Sequence, residues 1–240
     1  MCTLTVIPTP SGPRLVHSRD ERRTRAPAIA PAWRVLPSGR RAIWPTDPDA
    51  GGTWIAARDD GAVLGILNYN IPPNGRPAPT RSRGAVIPAL IDATDAAGAM
   101  EQLADLDLLA TAPFRLLALD PDGSAMLAAW DGLSLATPWV LRPPFCLVSS
   151  GLGDDRVRPR LPLFDELVLP NPTPSAQDAF HRHRWDDRPE ISVLMSRRDA
   201  RTVSITTVEP TRPVSLRVEP VPEADPRSDP VGATDRARSG

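Results

Sequence analysis

Apolar and polar positions along the chain form short strand-like runs at both ends and a helical stretch between them. CTLTVI (2–7) has strand composition, PTPSGP (8–13) is a turn cluster, and RLVHS (14–18) reads as the returning strand. Two apolar runs around Asp59-Asp60-Gly61 predict a hairpin over 51–70, and FRLLALD and SAMLAAWDG around Pro121-Asp122-Gly123 predict a second over 114–132. Between them Val86, Leu90, Ile91, Ala97, Met100, Leu103 and Leu106 recur at roughly helical spacing, which predicts two helices across 84–110. PSAQDAFHRHRW (174–185) reads as a helix, EISVLMSRRDARTVSITTVE (190–209) as a third hairpin, and PVSLRVE (213–219) as a last strand. Residues 19–50 carry no clean period and read as irregular; 71–83 reads as a loop. Residues 133–173 are punctuated by proline, with one strand signal at PFCLVSS (144–150). Hairpins, then helices, then hairpins predict an α+β fold with helices packed on antiparallel sheet. One domain is expected over 1–219. The Pro-rich, charged remainder, 220–240, lacks aromatics and is expected to be disordered.

Composition narrows the function. At 240 residues and 41% hydrophobic, the chain can build a real core. All 28 basic residues are arginine, so lysine Schiff-base or lysine-nucleophile chemistry is excluded. A net charge of −1 gives no bulk attraction to nucleic acid or an anionic membrane. No run approaches the roughly 20 apolar residues that span a bilayer. The N-terminus lacks the charged start and apolar run of a signal peptide. Two distant cysteines, Cys2 and Cys146, make no disulfide framework. A reducing, cytoplasmic setting without stable membrane insertion is the expectation.

The scarce residue type sits in a telling place. Cys2 follows the initiator methionine and begins the first strand, so removal of Met1 would put a thiol and a free α-amine on one residue. The amine, with a reference pKa of about 7.7–8.0, could take the thiol proton. The alternative is a small buried residue of no chemical consequence. Arg19 and Asp20, at the end of the second strand, could stabilise a thiolate and hold the amine; such an arginine would depress the thiol pKa. Other signals are weaker. His181 and His183 are two apart, which does not suit a metal pair on a helix, and read as a solvated helix face. GGTW (51–54) lacks the phosphate-loop pattern and reads as a turn before a core Trp. Cys146 reads as a core thiol, and Asp154 and Asp155 as solvated. No cofactor or metal is expected.

MCT at the start, SRDE (18–21), GGTW (51–54), LNY (67–69), RSRG (81–84) and DARTVS (199–204) come in the order seen in the NRDE family, which includes the transport and Golgi organisation protein 2 homologues. Over roughly residues 1–210 the chain resembles that family. The family is in turn similar to N-terminal-nucleophile (Ntn) hydrolases of the choloylglycine hydrolase and penicillin V acylase type. The resemblance implies a four-layer αββα fold with Cys2 heading a central strand. It implies Cys2 as nucleophile, Arg19 as its charged partner, Asp20 orienting the amine, Asn68 at the oxyanion hole and Arg201 as the family's late arginine. It implies a small acyl amide or thioester as substrate. The chain departs from the pattern at Ser18 and Ser150, where relatives carry asparagine. The alternative is a non-catalytic lipid- or haem-handling trafficking protein on the same scaffold.

Overall fold

The computed structural model describes residues 2–71 and 78–223. Part of the expected loop at 71–83, and the expected tail beyond 223, lie outside the described residues. In chain order the elements are β1 (Cys2–Thr9), β2 (Gly12–Arg22), β3 (Ile29–Val35), β4 (Arg41–Thr46), β5 (Ile55–Arg58), β6 (Val63–Asn68), α1 (Val86–Leu90), α2 (Ala96–Ala104), β7 (Phe114–Leu119), β8 (Ala125–Trp130), β9 (Trp139–Leu141), β10 (Phe145–Ser149), α3 (Arg160–Leu167), α4 (Pro174–Arg182), β11 (Ala200–Glu209) and β12 (Ser215–Pro220).

Two antiparallel sheets result. One has the order β10-β1-β2-β11-β12, the other β3-β4-β5-β6-β7-β8-β9. They face each other through β1, β6 and β10, and at one side through β12 and β3. The helices α3 and α4 cover the outer face of the five-stranded sheet, and α1 and α2 cover the outer face of the seven-stranded sheet. This is the expected four-layer αββα arrangement. It explains why β1 shows no alternation: both its faces are buried, so every residue from Cys2 to Ile7 is sequestered.

The pleat nevertheless sorts these residues. Cys2, Leu4 and Val6 join the inner core with Ile55, Leu67 and Phe114, while Ile7 joins Leu163, Phe164 and Phe180 under the helices. The sheets approach closely at Gly65, where a Cβ would come within 2.8 Å of Leu4 Cδ1. Each helix buries one stripe. In α2, Ala96, Ala99, Met100 and Leu103 face inward, and the Asp95 side chain caps the helix by accepting from the Gly98 N–H at 2.8 Å. The cap of α4 is Thr173, which accepts from the Ala176 N–H at 3.3 Å.

Three stretches differ from expectation. Residues 19–50 are mostly regular: β2 runs on to Arg22, and β3 and β4 form a hairpin. The edge strand β3 is exposed at most positions and carries Pro31, so no apolar alternation marks it. Residues 190–209 are not a hairpin. Only 200–209 is a strand, and Val193 and Met195, which suggested its partner, are buried side chains of a loop. The helix α3 hides in the Pro-punctuated stretch because Pro162 occupies its first turn, where no backbone N–H is needed. At the far end, the Val221 N–H donates to Val203 O at 2.9 Å just beyond β12.

Candidate active site

Because β1 lies between β10 and β2, the chain start is pinned in mid-sheet. Cys2 pairs with Ser149 on one side and Arg19 on the other. Its residue is 7% exposed and lines a cavity of about 650 Å³, together with Arg19, Asp20, Trp54, Asn68 and Arg83. The Asp20 N–H donates to the Cys2 sulfur. Four of the five residues singled out from the sequence, Cys2, Arg19, Asp20 and Asn68, therefore share one cavity.

The charged wall is built around Asp47. Its Oδ1 accepts from the N–H groups of Asp49 and Ala50, a turn set by the Thr-Asp-Pro-Asp stretch. Its Oδ2 accepts from Arg19 Nη2 at 2.5 Å and Arg25 Nη2 at 2.8 Å, and these guanidinium groups hold its carboxyl below the usual carboxylate range against the opposing effect of burial. Arg19 also lies 3.4 Å from Glu21 and stacks on Trp54 at 4.5 Å. Trp54 is the expected core Trp, and its Nε1 donates to Thr206 Oγ1 at 3.2 Å.

Asp20 and Arg201 are placed otherwise than a simple site would have them. The Asp20 carboxylate accepts from Thr202 Oγ1 at 2.6 Å and lies 3.7 Å from Arg160 Nη1, both on the helix-covered side. Burial raises its pKa, and Arg160, the chain's amino terminus and Thr202 pull it down. Arg201 does not line the cavity; its Nη1 donates to Val221 O at 2.7 Å and Thr202 O at 3.1 Å. Asn68 lines the cavity from the end of β6.

The Cys2 thiol is not depressed as Arg19 suggested. Burial pushes its pKa up, and the opposing pull of the positive amino terminus does not cancel this. The charges of the nearby Asp20 and Glu21 add to the rise, and Arg19 is engaged with Asp47 and Glu21.

Several participants escaped the sequence. Asp47 fell in a stretch read as irregular, although its turn chemistry was legible. Arg83, in the RSRG motif, lines the cavity; burial lowers its pKa, and the nearby Cys2 and Glu21 oppose that shift. Asp154 is not simply solvated. It accepts from the Ser150 N–H at 2.9 Å, pairs with Arg115 at 3.0 Å, and so fixes the end of β10 beside Cys2. His181 is fully buried rather than on a solvated face, and bonds Thr5 and Ser18 at 2.7 Å each. Cys146 packs at the margin of the Phe164–Phe180 cluster. Among the described residues no group of His, Cys, Asp and Glu is placed to hold a metal, and no helix is long and apolar enough to cross a membrane.

Solved structures share this architecture. The chain is similar to a Caenorhabditis elegans N-acylethanolamine-hydrolyzing acid amidase ortholog, with a TM-score of 0.58 and 12% identity over 88% of this chain and 93% of that one. It is similar to penicillin V acylase from Agrobacterium tumefaciens, with a TM-score of 0.53 and 12% identity over 87% and 79% of the two chains. The C2A mutant of conjugated bile acid hydrolase from Clostridium perfringens gives a TM-score of 0.53 and 10% identity over 92% of each chain. At these identities the likeness establishes the fold, that of the Ntn hydrolases. No curated protein matches the chain. Residues 1–154 match the Transport and Golgi organisation 2 family, and the chain belongs to it.

Proposed function

We propose that this chain is a cysteine-nucleophile hydrolase of a small acyl amide or thioester, acting after loss of Met1. The observation that carries this is the placement of Cys2. The sole thiol at a strand head stands against a polar cavity, with a backbone N–H on its sulfur and a charged partner in register. The fold it shares belongs to proteins described as amidase, acylase and bile acid hydrolase.

In the mechanism, the free α-amine of Cys2 takes the thiol proton. The sulfur attacks the carbonyl carbon, and a C–S bond forms as the carbonyl oxygen gains negative charge. Asn68 and a backbone N–H stabilise that oxygen. The α-ammonium returns the proton to the leaving nitrogen or sulfur as its bond to carbon breaks. Water then attacks the thioester, the amine again taking and returning the proton, and the acid leaves. Asp20 holds the amine and Arg160 keeps Asp20 charged. Arg201 sits in this reading as a brace for the strand end rather than as a participant.

A binding protein without turnover is the second reading, favoured by the raised thiol pKa and by Ser150. Intact-mass analysis separates the two. The expected result is a polypeptide beginning at Cys2 that gains one acyl mass from an N-acyl amide or thioester, and a Cys2→Ala variant that gains none. A retained methionine, or ligand binding with no acyl mass on Cys2, would overturn the hydrolase in favour of the binding protein.

A further inference from the structure

The two groups that the proposed reaction needs stand on different sheets. Cys2 heads β1 in the five-stranded sheet, and Asn68 ends β6 in the seven-stranded sheet. Backbone ladders run within each sheet and fix neither group against the other. Their spacing depends on side chains that cross from one sheet to the other.

One such crossing lies next to both groups. Arg115, on β7, is in register with Leu67, the residue before Asn68. Its Nη2 donates to Val148 O, and to Asp154 Oδ2 at 3.0 Å. Val148 is the residue before Ser149, which pairs with Cys2. A single guanidinium therefore ties the strand neighbour of Asn68 to the strand neighbour of Cys2. Asp154 makes a second tie. Its Oδ1 accepts from the Ser150 N–H at 2.9 Å, at the end of β10, and from Asn70 Nδ2 at 3.3 Å, just beyond β6. A turn delivers it there: Gly153, with φ of 103°, donates its N–H to Ser150 O at 3.0 Å and brings the chain back onto Ser150. The Arg115 and Asp154 side chains are 17% and 19% exposed, so solvent screens their charges less than at the surface. The Arg115 guanidinium also lies 5.5 Å from the centre of the Tyr69 ring, between Asn68 and Asn70 in the chain.

We propose that Arg115 and Asp154 are positioning residues that set the separation of Cys2 and Asn68 across the two sheets. The proposal rests on the hydrolase reading, because acyl transfer is the step in which that separation matters. The sulfur attacks the carbonyl carbon while the oxygen one bond away gains negative charge at its donor. Both protein groups must reach one carbonyl at once, and a misplacement of about 1 Å costs on the order of a hundredfold in rate. Alkylation of the same sulfur has no such demand. With iodoacetamide the S–C bond forms at a saturated carbon as iodide leaves, and no oxyanion develops. That reaction uses Cys2 and not Asn68.

The test compares the two reactions at one thiol. 4-Nitrophenyl acetate acetylates Cys2: the S–C bond forms, the C–O bond breaks and 4-nitrophenolate leaves. Iodoacetamide alkylates it, and peptide mapping by mass reads both rates at Cys2. Asp154→Asn keeps an acceptor for the Ser150 N–H but removes the charge that holds Arg115, and Arg115→Met removes the guanidinium tie. Each should slow acetylation roughly tenfold to a hundredfold and change alkylation by less than about twofold. Arg115→Lys should recover part of the loss. The double variant should lose no more than the worse single one, since the pair acts as a unit. Neither variant should slow acetylation further in an Asn68→Ala chain, where no donor is left to position. Equal slowing of both reactions would make the pair a structural brace and overturn the proposal. Unchanged acetylation in both variants, or further slowing of the Asn68→Ala chain, would also overturn it. A wild-type chain that is alkylated at Cys2 but never acetylated would end the hydrolase reading and the proposal with it, so the wild-type chain alone tells the two failures apart.

Discussion

Cys2 and Thr5 lie on the same strand, on opposite faces, in two different chemical worlds. On the helix-covered face, polar groups answer one another. Thr5 and Ser18 hold His181, Arg160 Nη1 donates to Thr3 Oγ1 at 2.7 Å and sits against Asp20, and Arg14 joins Gln177 at 2.7 Å and Asp178 at 2.9 Å. On the inner face, Cys2 and Arg83 line a cavity, and both ring nitrogens of the fully buried His17 lack a protein partner among the described residues. A largely paired layer makes structure: apart from Arg160 Nη2, which has no hydrogen-bond partner among the described residues, the groups named here have partners at hand. An incompletely paired layer around a cavity is where a ligand can supply the missing interactions.

The largest expected effect is on the inner face and comes from acid. Burial first, then the amino terminus and Arg19, lower the pKa of His17 from its ordinary 6.5 to about 3. The unfolded chain therefore binds this proton before the folded one does. The stabilisation is complete above about pH 6.5 and is lost as pH falls toward 3, by roughly 5 kcal/mol at ~1.4 kcal/mol per pH unit. His181, also lowered by burial, adds to the same loss. Urea unfolding across this window should show the decline, and His17→Gln should flatten it by most of the His17 share. An unchanged slope in His17→Gln would mean that His17 is charged or solvated in the folded chain.

A smaller effect probes the sealed face. Arg160→Met would leave the buried Asp20 carboxylate without the Arg160 guanidinium, at a cost of roughly 3 kcal/mol measured by denaturant unfolding at pH 7. In the same variant, lowering pH toward protonation of Asp20 should recover part of the deficit, since a neutral carboxyl no longer needs the guanidinium. A deficit independent of pH would make Arg160 a packing residue only.

The smallest effect compares the two thiols directly. Cys2 lies within the field of Arg83, which has no ion pair within 4 Å among the described residues, whereas Cys146 lies on the opposite face, where burial raises its pKa. The rate ratio of iodoacetate to iodoacetamide should be higher at Cys2, by roughly tenfold at low salt, because an anionic reagent is drawn to a local positive field. Peptide mapping after partial alkylation reads both ratios in one sample. Equal ratios would deny the inner face its electrostatic distinction.

What the sequence determined is local. β-branched runs, turn residues and helical apolar spacing specified the strand at Cys2, the hairpins at 51–70 and 114–132, and the helices α2 and α4, because these depend on neighbours a few residues apart. The motif order also pointed to the family and to Cys2, Arg19 and Asn68 around one cavity. What only the tertiary structure decided is which polar residues are spent on one another. Asp47 quenching Arg19, Arg160 standing under Asp20, His181 turned into the sheet, and Gly52 against Gly84 all join positions dozens of residues apart. No periodicity encodes such contacts, because they form only when two sheets and two helix layers close on each other. That closure sets both the burial of Cys2 and the charged groups gathered around it, and these two quantities decide what the thiol can do.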